Sequence, residues 1–433
     1  MIEIVTNPLN NPEMSNNLQK YNVLKYIQFP FSEENEVNDA RIFYVNKNKP
    51  LSNKIFYLVT REFRLEDNFA YNFARQKGKD ITLIFLTPKF ELEDKNKFFE
   101  HQFSFLKKNL EKHKINHEIF NDDNELFEFF EKEKIGILIK DFNPIEELKL
   151  PKNKFPIIEV DGHNICPARY ISNKQEYNAA SLRHKIYNNI AEFLTEFPKI
   201  EHLETEAEEN LKIFIQERLD DYAEFKNNPA YKVISDLSKY INWGFISSQR
   251  IAVEIIKSDS STQNKESFLE ELIIRKELSD NFCLYNAKFK TFDGIPNWAK
   301  ETLDKHKEDI RTNIFSLNQL ENAKSYDKLW NASQNQLLRE GKIHGYMRMY
   351  WAKKILEWTN SPQEALDFAI YLNDKYAFDA PSSNGYVGIL WSVGGLHDRA
   401  FVERLVIGKI RPMTYNGAKS KFDINKYMEM YSF

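Results

Sequence analysis

Two tryptophans near the C-terminal end of the chain have a spacing that suits redox chemistry. Trp351 and Trp358 are seven residues apart in Met347–Trp358, a run without Gly or Pro and with strong helix formers in its second half. A helix here puts both indoles near one face, about 10 Å apart along its axis. Such a pair is either ordinary core packing or a path for an electron. The choice depends on whether the chain also builds a site for a redox cofactor.

A second group of residues has the chemistry to bind a phosphate. Hydroxyl groups occur in Ser235-Asp236-Leu237-Ser238, and Gly244-Phe245-Ile246-Ser247 follows shortly after. A helix start offers unpaired backbone N–H groups and a partial positive charge, which together suit a phosphate. Ordinary N-capping by serine is the alternative explanation of the same residues.

Two neighbouring carboxylates belong to a predicted helix further along. Glu270 and Glu271 stand in Phe268–Arg275, and either could accept hydrogen bonds from a base or another heterocycle if it faces inward. The alternative is a helix surface on which Glu271 and Arg275 form an ion pair across one turn.

Arg348 is the one cation in the apolar start of Met347–Trp358 and needs a carboxylate partner if it is buried. Asp379 can supply a bidentate one, and Asn373 and Asp374 precede it after a predicted helix. The pair is either a structural salt bridge or a cation that favours negative charge on a bound ring system.

A glycine-rich segment and a basic tail end the chain. Asn384–Gly395 has four glycines besides Trp391, which suits close backbone approach and stacking on a base; a core tryptophan on a tight turn is the alternative. The tail is a basic strip suited to nucleic acid, or simply a solvated face. Its cations are Arg399, Arg404, Lys409, Arg411, Lys419, Lys421 and Lys426.

Alternating strands and helices precede these residues. The strand-like runs are Ile55–Thr60, Ile81–Leu86, His117–Phe120, Ile135–Ile139 and Pro156–Val160, with amphipathic stretches between them. This order predicts a parallel, Rossmann-like sheet with helices on both faces. No GxGxxG follows the first strand, and no GxxxxGK[ST] occurs, so neither a dinucleotide fingerprint nor a P-loop is indicated.

Helical patterns dominate after about residue 165, including one long pattern over Asn331–Trp358. We therefore predict an irregular lead-in at 1–50, an α/β domain at 51–165, a connector at 166–205 and an all-helical domain at 206–433.

Composition limits the functional classes. A net charge of −4 over 433 residues argues against wholesale coating of nucleic acid, and two cysteines indicate a reducing compartment. The sequence has no Cys/His cluster that would indicate a metal site. With no apolar run long enough to span a membrane and no secretory signal, we expect the chain to lie in the cytoplasm or nucleus. We also expect it to be a monomer.

The order of these segments resembles that of class II cyclobutane pyrimidine dimer photolyases over nearly all of residues 52–433. The resemblance is carried by Met347–Trp358, Ala365–Tyr376, Asn384–Gly395, His397-Asp398-Arg399 and Gly408-Lys409-Ile410-Arg411, and upstream by Arg61–Phe69, Asp161–Pro167, Lys174–Tyr177 and Glu271–Asn286. It implies an α/β antenna-type domain and a helical domain that holds FAD, with light-driven repair of pyrimidine dimers in DNA. A second antenna chromophore, a deazaflavin or a folate, is compatible with it.

The resemblance also implies roles for individual residues. Those implied to hold or line the cofactor site are Tyr222, Ser235, Asp236, Leu237, Ser238, Phe268, Glu271, Arg275, Arg348, Asn373 and Asp379. Trp351, Trp330 and Trp358 correspond to the family's electron-transfer tryptophans. Glu271, Met349 and Trp391 correspond to residues that touch the flipped dimer. The implied DNA contacts are Lys226, Trp391, Arg399, Lys409 and Arg411.

The chain departs from the family pattern near these positions. Lys239 stands where the family usually has Pro, Lys226 where it often has Arg, and Ile274 where related classes carry a stacking Trp. Asn242-Trp243 replaces a usual His-Phe pair. These departures affect substrate contacts and leave the redox residues in place.

Two other functional classes compete with repair. A cryptochrome-like blue-light photoreceptor of the same superfamily has no need of substrate contacts, whereas Glu271, Met349 and Trp391 are retained here. A helical scaffold without flavin leaves Arg348 and the glycine-rich segment without a role.

Overall fold

The N-terminal part is built on a six-stranded sheet, with the order β1-β6-β5-β2-β3-β4. The structure is a computed structural model that describes residues 22–33, 36–197 and 203–432. The strands are β1 (Ile42–Tyr44), β2 (Ile55–Val59), β3 (Ile81–Leu86), β4 (His117–Phe120), β5 (Ile137–Asp141) and β6 (Ile157–Val160). All neighbouring pairs are parallel except β1 with β6. The predicted α/β fold is confirmed, with an antiparallel edge strand added.

Helices cover both faces of this sheet, which explains why every residue of β2 is buried. The connecting helices are α1 (Phe69–Lys77), α2 (Glu93–Lys112) and α3 (Asp123–Lys132). Phe56 and Leu58 pack in the cluster on the α3 side, whereas Tyr57 and Val59 pack in the cluster that contains α1 and α2 residues. This second cluster continues without a break as far as Leu278, so the sheet and the first half of the helical part share one core.

The predicted irregular lead-in at 1–50 is wrong for the segment that forms β1. Arg41, just before this strand, is 2% exposed and donates hydrogen bonds to the carbonyl oxygens of Asp161 and Asn164, at 3.0 and 2.9 Å. The strand is too short to give a periodic signal, and its position depends on these distant partners. Residues 1–21 lie outside the described part of the chain.

The rest of the chain is helical. In chain order the helices are α4 (Ala168–Ile171), α5 (Ala179–Tyr187), α6 (Ile190–Phe193), α7 (Glu206–Glu217), α8 (Tyr222–Phe225), α9 (Ser238–Asn242), α10 (Ser248–Lys257), α11 (Thr262–Leu269), α12 (Lys276–Tyr285), α13 (Asn297–Lys305), α14 (Leu317–Glu321), α15 (Lys328–Glu340), α16 (Gly345–Trp358), α17 (Pro362–Tyr376), α18 (Ser383–Gly394), α19 (Tyr415–Lys419) and α20 (Ile424–Met430). A π-helical segment, Glu270–Arg275, joins α11 to α12. No helix of the described residues is long and apolar enough to cross a membrane.

One prediction and one alternative explanation for this part are corrected. The single helix expected over Asn331–Trp358 is interrupted at Gly341, whose left-handed backbone (φ 63°) ends α15. The glycine-rich segment Asn384–Gly395 is mostly helix α18, so Trp391 lies on a helix and not on a tight turn.

Gly244 fixes the contact between the two parts of the chain. Its φ is +63°, and a Cβ placed there would lie 2.4 Å from the carbonyl oxygen of Arg61. We expect Gly244→Ala to lower the free energy of unfolding by about 2–4 kcal/mol. The alanine would have to adopt a left-handed backbone conformation, and its methyl group would also overpack the contact with Arg61. Chemical denaturation measures the change. Gly345→Ala, where a Cβ meets nothing within 4 Å, is the control and should cost no stability. Equal losses in both variants would contradict the argument.

Candidate active site

A cavity of about 170 Å³ opens in the helical part. Six residues predicted for the cofactor line it: Tyr222, Ser235, Ser238, Phe268, Glu271 and Asp379. Two lining residues, Arg61 and His163, come from the N-terminal part of the chain. Among the described residues, the lining does not include Asp236, Leu237, Arg275, Arg348 or Asn373.

The Ser235–Ser238 segment divides between cavity and scaffold. Ser235 and Ser238 line the cavity, whereas Leu237 is fully buried in the core. Asp236 has a left-handed backbone (φ 60°) and forms ion pairs with Lys342 and, at 3.4 Å, with Arg218. The outer residues therefore offer hydroxyls to a ligand, and the inner two hold the turn.

The π-helical segment sends the two neighbouring glutamates to different surroundings. Glu270 is 3% exposed and accepts hydrogen bonds from the guanidinium of Arg183 at 2.6 and 3.2 Å. Arg275 also pairs with Glu270, at 3.2 Å, so the alternative Glu271–Arg275 pair is wrong. Glu271 instead lines the cavity and pairs with Lys226 at 3.0 Å. Single π turns are frequent at functional sites because they redirect a side chain in this way.

The predicted pair of Arg348 and Asp379 is present at the cavity wall. Arg348 Nη2 lies 3.4 Å from Asp379 Oδ1, and their side chains are 20% and 12% exposed. One contact at this length leaves other donors of the guanidinium free for a ligand. Asp379 lines the cavity, so a ring bound there would lie beside this pair.

Asn373 lies on α17, close to Gly385 of α18. It is 3% exposed and donates a hydrogen bond to Asp374 Oδ1 at 3.0 Å. A Cβ on Gly385 would lie 3.0 Å from Asn373 Nδ2, so this glycine permits the close approach that the segment composition indicated.

Trp351, Trp330 and Trp358 form one continuous series of rings. Trp351 and Trp330 are stacked, with ring centroids 6.4 Å apart and planes at 4°, and Trp330 meets Trp358 edge-on at 5.6 Å. All three are at most 2% exposed. Trp330 Nε1 donates to the carbonyl oxygen of Trp351 at 3.0 Å, and Trp351 Nε1 donates to Gln334 at 2.9 Å. The indole of Trp330 thus fills the space between the two tryptophans of α16.

The series continues to the surface through a residue that the sequence did not indicate. The ring of Tyr326 lies 5.4 Å from Trp358 and is 61% exposed. Trp358 itself is 2% exposed, so Tyr326 connects the buried indoles to solvent.

Trp391 is a half-buried ring with cations around it. Lys353 Nζ lies 4.6 Å from the centroid of the ring and the guanidinium carbon of Arg411 5.7 Å from it, within the range of cation–π attraction. Arg411 also forms two hydrogen bonds of 2.8 Å with Asp398, so it is not a free member of the basic strip. Arg399 and Lys409 are exposed.

Relatives were found by comparison of the whole sequence, although no protein-family model matches it. The deoxyribodipyrimidine photo-lyase of Potorous tridactylus is 40% identical over 344 residues, which cover 69% of this chain and 64% of that protein. The deoxyribodipyrimidine photo-lyase of Arabidopsis thaliana is 36% identical over 444 aligned residues, covering 86% of this chain and 88% of the plant protein. The chain belongs to the deoxyribodipyrimidine photo-lyase family. The predicted family is thereby confirmed.

Solved photolyase structures share the fold of this family member. A class III photolyase from Agrobacterium tumefaciens has a TM-score of 0.67 at 15% identity, with 89% of this chain and 87% of that one covered. A photolyase from Sulfolobus tokodaii, solved with two FAD molecules, has a TM-score of 0.63 at 15% identity, with 88% and 90% covered. At this identity the likeness supports the two-part architecture alone.

This photolyase chain has a second, larger cavity of about 720 Å³ between its two parts. The carboxyl ends of the parallel strands contribute Thr60, Leu86 and Thr87, and the helical part contributes Trp243 and Asp374. Ligands of open parallel sheets bind at this edge, so the location suits a second bound molecule.

Three residues of this candidate site could not be found from the sequence. Arg61 lies in a segment that carried the resemblance, but only the fold brings it into the smaller cavity. Tyr326 has no periodic relation to the tryptophans, and Lys353 lies in an apolar helix where it resembles a surface lysine. Lys353 is 2% exposed, and burial lowers its pKa to about 7.

Proposed function

We propose that the chain repairs cyclobutane pyrimidine dimers in DNA, using light and a reduced flavin that donates one electron to the lesion. Family membership supports the reaction class. The observation that carries the proposal is the position of the indole series: Trp351 lies one helical turn after Arg348, whose partner Asp379 lines the smaller cavity. In this proposal the electron path therefore begins one helical turn from the ion pair whose carboxylate lines the cavity.

The donor set of this cavity fits FAD. Serine hydroxyls suit a diphosphate, and the rings of Tyr222 and Phe268 give an apolar wall. Arg61 Nη1 is buried without a hydrogen-bond partner among the described residues, as expected where a polar ligand belongs. We assign FAD to Tyr222, Ser235, Ser238, Phe268 and Asp379, with Asn373 and the Arg348–Asp379 pair beside its ring system.

Bound FAD would supply light absorption and one-electron chemistry, and the protein supplies position and electrostatics. Arg348 places positive charge beside the ring, which favours negative charge there. Asp236, Leu237 and Arg275 serve in this proposal by holding the turn and the π-helical segment around the cofactor.

In repair the electron would return from the split dimer to the flavin, so the tryptophans would serve a separate purpose, which is to reduce an oxidised cofactor. In this proposal Trp351 gives up an electron first, Trp330 restores Trp351, and Trp358 restores Trp330. The contacts between successive rings support this order, and the exposed ring of Tyr326 lies at the outer end.

DNA would bind on the face that carries Trp391. We propose that Arg399 and Lys409 contact phosphates, which position DNA without reading its sequence. The lesion leaves the stack at low cost because it pairs badly, and Glu271, Met349 and Trp391 then receive it. Lys226 lies beside Glu271 at 3.0 Å and keeps that carboxylate in place. All of these residues come from one chain, so we propose that a monomer acts.

The larger cavity is our proposed site for a second, light-harvesting chromophore. A deazaflavin or a folate is the chemical class that we expect there. Its wall shares Arg61 and Asn242 with the smaller cavity, so two bound chromophores would be separated by single side chains.

Repair is tested with the purified chain, loaded with FAD and chemically reduced. Illumination with dimer-containing DNA should restore the pyrimidines, and the same mixture in the dark should not. Bound flavin without restored pyrimidines would favour the blue-light photoreceptor. An absence of flavin binding would contradict both light-driven functions.

A further inference from the structure

Arg61, like His163, is a residue of the smaller cavity that comes from the α/β part of the chain. It follows β2 in a loop whose backbone is hydrogen-bonded to a residue of the sheet. The N–H groups of Thr60, Arg61 and Glu62 donate hydrogen bonds to one carboxylate oxygen of Asp141, at 2.9, 2.9 and 3.0 Å. Asp141 ends β5, the strand beside β2, so the sheet itself fixes the position of Arg61.

The helical part holds the same loop from the other side. Phe63 N donates to the carbonyl oxygen of Trp243 at 3.2 Å, and Arg64 Nη1 donates to that of Gly244 at 2.9 Å. With both sides fixed, the loop holds the Arg61 side chain at the wall that the two cavities share.

The guanidinium of Arg61 is only partly used there. Nη2 lies 3.2 Å from Asp280 Oδ1, and the residue is 5% exposed. Nη1 is buried and has no hydrogen-bond partner among the described residues. A buried, charged N–H group without an acceptor is costly, so this atom needs an oxygen from a ligand.

The carboxylates around the cavity are paired with cations. Each carboxylate of the lining has its own cation: Asp280 has Arg61, Glu271 has Lys226, and Asp379 has Arg348. Lys276, the lysine of the lining, donates hydrogen bonds to His163 O and Asn164 Oδ1 and is also attracted by the carboxylates of Asp280 and Glu277. Arg61 Nη1 therefore remains as a buried cationic donor without an acceptor among the described residues.

We propose that Arg61 is a cofactor-binding residue supplied by the α/β part, and that its free Nη1–H group donates to a diphosphate oxygen of the flavin dinucleotide. This inference rests on the proposed function, because it takes FAD as the ligand of the smaller cavity. It makes cofactor retention depend on both parts of the chain. Ser235, Ser238 and Ser383, which share the lining, provide further donors to the same group.

The test is ligand binding by the full chain after its flavin has been removed. FAD, ADP and riboflavin are titrated by calorimetry against the wild type and Arg61→Met. We expect the variant to bind FAD and ADP about tenfold more weakly or worse, equivalent to about 1.4 kcal/mol, because both carry the diphosphate. Riboflavin lacks a diphosphate, and its binding should not change.

Two further variants separate binding from folding. Arg61→Lys keeps a charge for Asp280 but lacks a second nitrogen, so it should lose FAD and ADP affinity as well. Arg250→Met removes a different ion pair between the two parts, with Asp67 at 2.7 Å, and should leave both affinities unchanged. Circular dichroism and thermal unfolding of each apo variant establish that it is folded. If Arg61→Met does not fold, the affinities of Arg61→Lys for FAD and ADP test the inference instead.

Unchanged FAD affinity in a folded Arg61 variant would overturn the inference. So would a loss for FAD that ADP does not share, because the contact would then lie on the flavin side. If the wild type binds no FAD at all, the proposed function itself is contradicted, and the inference about Arg61 is contradicted with it.

Discussion

Replacement of Trp351 by Phe is expected to remove light-driven reduction of the oxidised cofactor and to spare repair by chemically reduced enzyme. Trp351 is the ring of the series on the same helix as Arg348, one turn away, and it stacks on Trp330 at 6.4 Å. Phenylalanine keeps an aromatic ring but is much harder to oxidise, so the first electron step fails. The measurements are flavin absorption under illumination with an external reductant, and dimer repair after reduction by dithionite.

Packing gives a competing explanation of the same residue. Trp351 is 1% exposed, and its loss also costs core contacts, of the order of 1–3 kcal/mol. Trp298→Phe is the control, because Trp298 is half-buried and makes no ring contact with the series among the described residues. It should photoreduce normally. Equal loss of photoreduction and of repair in Trp351→Phe would mean that Trp351 is a packing residue.

The sequence predicted those elements whose signals are local. The strands β2 to β6 have apolar runs of strand length, and Trp351 and Trp358 share a helix face because of their spacing alone. The ion pair of Arg348 and Asp379 could be predicted because a buried guanidinium needs a carboxylate partner. Their contact is present at 3.4 Å.

What the sequence could not predict depends on distant partners or on small changes of backbone. One π-helical turn sends Glu270 to Arg183 and Glu271 to the cavity, and no periodicity distinguishes this from a regular helix. The edge strand β1 exists because Ile42 pairs with Val160, far along the chain. Arg61 reaches a cavity of the helical part through the docking of two domains, which no local pattern encodes.

Lys353 and Arg411 define how Trp391 is presented. The ammonium of Lys353 donates a hydrogen bond to the carbonyl oxygen of Ser392 at 2.9 Å and lies under the indole. Arg411 approaches the same ring and is itself held by Asp398. A ring fixed in this way is pre-organised, so it can stack on a base without first losing side-chain freedom.

Trp391→Ala should therefore lower the affinity for dimer-containing DNA about tenfold or more and leave the affinity for undamaged duplex nearly unchanged. Stacking of an aromatic ring on a base contributes about 1–3 kcal/mol, and only a base outside the helix can receive it. Binding titrations with matched oligonucleotides, with and without one dimer, measure the ratio. Tyr44→Ala removes a 56% exposed ring of β1 and should not change it.

The charged residues beside Trp391 give the opposite pattern, which makes the comparison decisive. Arg399→Ala together with Lys409→Ala should weaken binding of both oligonucleotides by the same factor and reduce its salt dependence, because phosphates are common to both. If Trp391→Ala behaves like this double variant, the ring only supports the basic surface. A selective loss for the dimer means that Trp391 contacts the extruded lesion, as expected for a half-buried ring that two neighbouring cations hold in place.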